Sequence, residues 1–301
     1  MCANLAISPL LDSWMIHLAA ERKSAQTMKT YGDGVRAFVR WCEATGAPPE
    51  LDRRTVNAFT AALLDGGAEP ATARSRQLAV RRFSAWLYAD GEIPADELVA
   101  LRPPKLDVKV VESLDDDQLK ALLKECRGSG FRDLRDEAIV RLMVETGARA
   151  GEVVNMTTDD IDLKQGAGVA VIRKGKGGRG RTVFFSAQCA QAVDRYLRKG
   201  RKGHRLADSP ALWLGDRGKG LSYDGLYSAL ATRAAIAGID GFHPHILRHT
   251  AATRWLAAGG SEGGLMAVAG WTRRDMLDRY TRASSERRAA EEARRLDLGN
   301  F

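Results

Sequence analysis

Tyr280 sits between two arginines in the run Arg279-Tyr280-Thr281-Arg282. A tyrosine so placed is an odd core residue. If nearby cations pull its phenol down from the usual value of about 10, its oxygen becomes a nucleophile. Three other islands carry residue types that would complete such chemistry. Thr146-Gly147-Ala148-Arg149-Ala150-Gly151-Glu152 places an arginine just after a helix-ending glycine. A turn would hold it there, able to grip a phosphate with two parallel bonds. Lys174, Lys176, Arg179 and Arg181 surround the turn Gly175-Lys176-Gly177-Gly178. A lysine on so short a turn can swing into a groove and hand a proton to a leaving oxygen. His243-Pro244-His245-Ile246-Leu247-Arg248-His249 starts a helix at Pro244 and puts His245 and Arg248 three apart on one face. Gly270-Trp271 precedes Tyr280 by nine residues, counted from the tryptophan. Transesterification at a phosphodiester needs such a set: a nucleophile, positive donors around the non-bridging oxygens, and an acid for the leaving 5′-hydroxyl.

Each island alone also has an ordinary reading. Arg149 fits a helix cap or surface ion pair, the lysine turn a solvated loop, and Tyr280 a packing residue. Two rival chemistries are weaker. No Gly-Lys-Ser or Gly-Lys-Thr occurs, and the glycine-rich turn joins two strands, so it is not a phosphate-cradling P-loop. His245 and His249 are four apart, but no glutamate lies between them, no carboxylate follows nearby, and Arg248 would repel a cation. No metal site is expected.

The elements that must position these residues show in the hydrophobic spacing. Leu10, Leu11, Trp14 and Leu18 form one stripe. Val35, Phe38, Val39 and Cys42 form a second, Val56, Phe59, Leu63 and Leu64 a third, and Leu78, Phe83, Trp86 and Leu87 a fourth. The period is helical, and Gly46, Gly66-Gly67 and Gly91 stand where helices stop. A four-helix domain over 1–101 is expected, with Trp14, Trp41, Phe83 and Trp86 in its core. Arg74, Arg76, Arg81 and Arg82 lie around the outside of the fourth helix. They form either a DNA-facing stripe or a solvated surface. Pro103-Pro104 excludes helix and marks a linker over 102–111. A second domain, 112–301, opens with Ser113 as a helix N-cap. It continues with a helix over about 131–146 ending at Gly147, then a hairpin with strands at Gly168–Arg173 and Arg181–Phe185. Helices follow at about 187–199, 222–237, 245–258, 262–269 and 273–295, and Leu212–Leu214 reads as a short third strand.

Charge and composition agree with a polyanionic partner. Lys and Arg outnumber Asp and Glu by 46 to 38, and phosphate contacts release condensed counterions. Cys2, Cys42, Cys126 and Cys189 are too scattered for a zinc knuckle or CxxC pair and read as reduced thiols. No apolar run would span a membrane, and no basic-then-apolar leader opens the chain. An intracellular protein is expected.

Thr-Gly-x-Arg-x-x-Glu, a hairpin lysine, His-x-Leu-Arg-His, and a Gly-Trp pair nine residues before a tyrosine resemble, in order and spacing, the tyrosine recombinases of the phage integrase family. The motifs cover about 112–285. The resemblance implies a mainly α fold with a small β-sheet: an N-terminal helical, SAM-like core-binding domain and a C-terminal mixed α/β catalytic domain. It also implies roles. Arg149 and Arg248 would clamp the scissile phosphate. Lys176, or Lys174 in its place, would be the general acid. His245 would serve as base or acid toward Tyr280, Glu152 would orient its neighbours, and His249 would support. Tyr280 would form a 3′-phosphotyrosyl ester without metal, ATP or cofactor. Lys174, Arg179 and Arg181 would join Arg74, Arg76, Arg81 and Arg82 in binding DNA. The implied partner is double-stranded DNA with an inverted-repeat core, bound by a homotetramer across two sites, the free protein being a monomer. The purpose would be integration, excision or resolution of a DNA element.

Trp271 stands where most members carry histidine and some carry tryptophan. An indole N–H donates a hydrogen bond but cannot shuttle a proton. Gly259-Gly260 and Gly263-Gly264 are expected to interrupt the helices before it and leave that stretch loose. The chain begins almost directly with the core-binding pattern, as in compact Xer-like members. The tail 284–301 is expected to dock on a neighbouring subunit. Three rivals remain: a type IB topoisomerase-like nicking-closing enzyme, a catalytically inactive DNA-binding relative, and a metal-dependent nuclease.

Overall fold

The computed structural model describes residues 7–106, 112–163, 167–173, 180–216 and 220–281. The chain divides into two units, Met1–Lys109 and Val110–Phe301. Lys174, Lys176 and Arg179 of the basic turn, Cys2, and the tail 284–301 lie outside the described residues.

The first unit is a bundle of α1 (Ile7–Ala20), α2 (Ala25–Thr45), α3 (Arg53–Asp65) and α4 (Pro70–Ala89). Local chemistry starts each of the later three. Ser24 and Asp52 accept the backbone N–H groups of Thr27 and Thr55, and Pro70 opens α4. The four stripes meet in one aromatic core. Trp14 stacks on Tyr31 with ring centroids 5.7 Å apart and leans on Phe83 at 5.2 Å. Trp86 is buried as expected, while Trp41 packs on the core from a half-buried position.

The second unit is mostly helical with a three-stranded antiparallel sheet. Its helices are α5 (Asp116–Glu125), α6 (Phe131–Thr146), α7 (Ala150–Val154), α8 (Ala187–Arg195), α9 (Tyr223–Ile236), α10 (Pro244–Ala257), α11 (Glu262–Ala269) and α12 (Asp275–Thr281). The N-cap of α5 is Asp115, not Ser113. Its carboxylate accepts the N–H groups of Asp117 and Gln118, and Gln118 reciprocates on the backbone of Asp115. The strands are β1 (Ile161–Asp162), β2 (Gly168–Ile172) and β3 (Arg181–Phe185), in that order, with Ala170 opposite both Ile161 and Val183. Gly168, Ala170, Ile172, Val183 and Phe185 face the core, and Val171 and Phe184 face out, as the two-residue period requires.

Leu212–Leu214 is not the third strand. The residues are buried and hydrophobic, but among the described residues the segment makes only single bridges, Thr157 with Ala211 and Leu214 with Gly220. α6 runs through the centre. It buries Leu134, Ala138, Ile139, Leu142 and Met143 together with the charges Arg135 and Asp136. Those charges are paired: Arg135 Nε donates to Asp136 at 2.8 Å, and Arg233 from α9 donates to the other oxygen of Asp136 at 2.7 Å.

Of the paired glycines before Trp271, Gly259-Gly260 separate two helices as expected, whereas Gly263-Gly264 do not break one. Gly259, at φ 79°, ends α10, but Gly263 and Gly264 lie inside α11. Gly260 and Gly264 supply room. A Cβ on Gly260 would fall 2.3 Å from Trp255 Nε1, and one on Gly264 would fall 2.9 Å from Trp255 Cζ2. The glycines seat Trp255 between α10 and α11, and its indole donates to Ser261 O at 3.0 Å.

Candidate active site

α6 ends where Gly147 takes the left-handed conformation, φ 61°, and its N–H bonds back to Met143 O. A Cβ would resist that conformation, so the glycine sets the turn that presents Arg149. Arg149 then caps α7. Its backbone N–H donates to Glu152 Oε2 at 2.8 Å, and its Nη1 donates to Oε1 at 2.8 Å. Glu152 also takes both terminal nitrogens of Arg181, at 2.9 and 2.8 Å. Burial by itself would raise the Glu152 carboxyl. The bonds and charges of Arg181 and Arg149 outweigh it and hold the group at about 2.

Arg181 therefore has a different place from the one expected of a DNA-facing turn residue. Its side chain is 10% exposed, and its Nε donates to Val268 O at 2.7 Å. It is an interior clamp joining β3, α7 and α11. Its position at the edge of a basic run hid this, because pairing with Glu152 spans 29 residues of sequence.

Pro244 starts α10, and one helical face then carries His245, Arg248 and His249. Arg248 is 1% exposed. Its Nη1 donates to Gly147 O at 2.6 Å and its Nη2 to Ala269 O at 2.7 Å, so it ties the end of α6 to the end of α11. Each of those nitrogens keeps a second N–H. The guanidinium lies 5.3 Å from the Trp271 ring centroid. Burial, then the nearby Arg149, lowers Arg248 to about 10, so it stays charged at neutral pH.

His245 lines a cleft of about 310 Å³ with Arg149, Ala150, Gly151, Glu152 and Tyr223. Desolvation first, then Arg248, His243 and Arg149, hold its imidazole below its usual range, so it is neutral at pH 7. Tyr223, on the first turn of α9 and exposed, belongs to this cleft. Only the Ser222 cap before it hinted at an ordered position, and the sequence reading missed it.

Gly270, at φ 64°, reverses the chain after α11, and the Trp271 N–H bonds back to Met266 O at 2.8 Å. Trp271 is buried in a small cluster with Ala252, Leu256, Leu265, Ala269 and Leu277. Its ring stacks on Tyr280, centroids 5.2 Å apart and planes 20° from parallel. Among the described residues, Trp271 Nε1 is buried without a hydrogen-bond partner. Tyr280 on α12 lies within hydrogen-bonding distance of His249 Nδ1. The expected role of His245 toward Tyr280 thus has a competitor one turn along α10. The expected lowering of the phenol is also corrected. Burial raises Tyr280 to about 12, and the opposing charges of Arg248 and Arg279 do not offset it.

The structure thus brings together Arg149, Glu152, Arg181, His245, Arg248, His249, Trp271 and Tyr280 in one unit. Lys176 lies outside the described residues. Arg74, Arg76, Arg81 and Arg82 belong to the other unit. Arg74 and Arg82 are exposed there, Arg76 is half-buried, and Arg81 turns back to donate to Val99 O at 3.3 Å.

Residues 112–287 match the phage integrase family, and residues 11–91 match the phage integrase N-terminal SAM-like domain. The chain is 33% identical over 263 residues to tyrosine recombinase XerD of Corynebacterium glutamicum, covering 83% of this chain and 85% of the relative. It is 32% identical over 266 residues to tyrosine recombinase XerD of Mycobacterium tuberculosis, covering 83% and 85%. In fold it resembles a XerH site-specific recombinase bound to palindromic difH substrate, in a post-cleavage complex. The TM-score is 0.74 at 19% identity, over 91% of this chain and 81% of that one.

Proposed function

The chain belongs to the phage integrase family of tyrosine recombinases, and from that premise we propose how its residues divide the work of strand exchange. The protein is a site-specific DNA recombinase, an enzyme that acts on DNA. In this reading Tyr280 Oη attacks the scissile phosphorus and leaves a 3′-phosphotyrosyl ester. Arg149 from the cleft rim and Arg248 through its remaining N–H groups neutralise the charge that builds on the non-bridging oxygens. His245 borders the cleft and contacts the same phosphate. Lys176 protonates the departing 5′-oxygen. The energy of the broken phosphodiester is kept in the tyrosyl ester, so the exchange needs neither ATP nor a metal ion. Glu152 and Arg181 hold Arg149 in place.

The observation that carries this reading is the indole N–H of Trp271. It is buried, stacked beside Tyr280, adjacent to Arg248, and without an acceptor among the described residues. A buried donor left unpaired is costly, so the site is built for an acceptor that arrives from outside. Beside the Arg248 guanidinium, a phosphate oxygen is the group that fits.

Family membership supports the remainder: double-stranded DNA with an inverted-repeat core, a homotetramer across two such sites, and Arg74, Arg76 and Arg82 on the DNA side of the first unit. The test is a nicked suicide duplex bearing the core sequence. The wild-type chain should become covalently attached to its 3′-phosphate. Tyr280→Phe should bind the duplex and form no adduct. An adduct with the phenylalanine variant would remove Tyr280 as the nucleophile.

A further inference from the structure

We propose that His249, and not His245, accepts the proton of Tyr280 during strand cleavage. The inference rests on the reading of Tyr280 as the nucleophile. Its basis is geometric. His249 Nδ1 lies within hydrogen-bonding distance of Tyr280 Oη, with ring centroids 5.5 Å apart. His245 precedes it by one turn of α10. The two imidazoles meet edge-on, centroids 4.5 Å apart and planes 83° from parallel. His245 opens on the cleft beside Arg149, whereas His249 turns toward α12. The pair thus divides along the helix, one ring toward the phosphate and the other toward the nucleophile.

The surroundings suit an acceptor. His243, His245 and Arg248 face His249 from α10 and its N-cap, and Arg279 and Tyr280 face it from α12. Burial first, then His245, His243 and the two arginines, keep it neutral, at about 4. A neutral imidazole with its proton on Nε2 offers the Nδ1 lone pair to the tyrosine hydroxyl. Tyr280, raised to about 12, keeps its proton in the free protein. Transfer therefore accompanies attack and does not precede it, which leaves the nucleophile inert until a phosphate is seated. In the step, the Oη–H bond breaks and the proton passes to His249 Nδ1. The Oη–P bond forms, the P–O5′ bond breaks, and the 5′-oxygen takes a proton from the general acid. In rejoining, an attacking 5′-hydroxyl returns its proton to that acid, and His249 restores the proton to the departing Tyr280.

The experiment uses the full chain and a nicked suicide duplex whose core is selected from a random-sequence library by binding to that chain. The rate of adduct formation is measured on the ordinary duplex and on one with bridging sulfur at the 5′ position, which leaves without an acid. His249→Ala and His249→Asn should bind the duplex as the wild type does. Both should form adduct about 100- to 1000-fold more slowly on both substrates. Asparagine keeps an acceptor near the Nδ1 position but cannot hold the proton, so it should not rescue. The fall in wild-type rate on acidification should disappear in both variants. Lys176→Ala, by contrast, should recover on the sulfur substrate. Rates within about threefold of wild type, rescue by asparagine, recovery on the sulfur substrate or an unchanged acid limb would each overturn the role of His249. An adduct in Tyr280→Phe would instead overturn the nucleophile assignment.

Discussion

Replacing Glu152 by glutamine should unmake the site from within, and the size of the effect follows from its bonds. The carboxylate accepts the Arg149 backbone N–H and Nη1 and both terminal nitrogens of Arg181. Its titration moves from 4.5 to about 2 on folding. At about 1.36 kcal/mol for each pH unit, that corresponds to roughly 3 kcal/mol of stability. Water reaching the adjoining cleft screens part of it, so about 2–3 kcal/mol is expected. The sign follows from the depressed folded value. The contribution is fully present above pH 4.5 and is lost as pH falls toward 2. Glu152→Gln should therefore lower the melting temperature of the second unit by about 5–10 °C at pH 7. The gap between the two proteins should narrow steadily between pH 4.5 and 2. Asp52 and Asp160 are also held below the usual carboxylate range, but in both proteins, so they cancel in the difference. The assay is thermal or denaturant unfolding of both proteins across pH, following the transition of the catalytic unit. A loss under about 0.5 kcal/mol at pH 7, or a gap that does not change down to pH 3, would refute the idea that Glu152 acts through its ionised bonds.

Trp271→Phe keeps a ring against Tyr280 and Arg248 but removes the N–H, so adduct formation should slow about 10- to 100-fold with DNA binding unchanged. Trp271→His restores a donor and should stay within a few-fold of wild type on the same suicide duplex. Arg149→Ala and Arg248→Ala should each slow the adduct more than Trp271→His does, which single-turnover rates will compare directly. Arg181→Lys cannot reproduce the paired bonds to Glu152 and the third to Val268 O, and should destabilise the second unit by about 3 kcal/mol in denaturant unfolding. Gly260→Ala drives a methyl group into the Trp255 ring and should cost about 1–3 kcal/mol, read as a lower melting temperature.

The local features were legible in the chain itself. The spacing of Val35, Phe38, Val39 and Cys42, and of its three sister stripes, specified helices because a 3.6-residue period puts those side chains on one face. Gly147 ended α6 because its backbone conformation excludes a side chain there. Pro244 marked the start of α10 for an equally local reason. The hairpin strands followed from alternation. The third strand was misplaced because Leu212–Leu214 is apolar for the sake of burial, while the true β1 is the two-residue Ile161–Asp162, too short to carry a pattern. The second pair of glycines before Trp271 was misread for a similar reason. Gly260 and Gly264 make room for the ring of Trp255, and a close approach of that kind leaves no mark on the period.

The order and spacing of Arg149, His245, Arg248, Trp271 and Tyr280 along the chain carried the resemblance to the phage integrase family, and the family is what the comparisons bear out. What only the tertiary structure decided is who faces whom. His245 and His249 are equivalent by residue type, and the helix face they share does not distinguish them. The packing of α12 against α10 puts His249 on Tyr280 and leaves His245 to the cleft. Arg181 looked like one more cation of a basic turn until the fold brought it to Glu152. Tyr280 looked activated by its arginine neighbours, yet burial among Trp271, His249 and Leu277 dominates and keeps its proton on. Sequence records charge and period, which act over a few residues. Desolvation and pairing depend on the whole fold, and here they keep the proton on Tyr280.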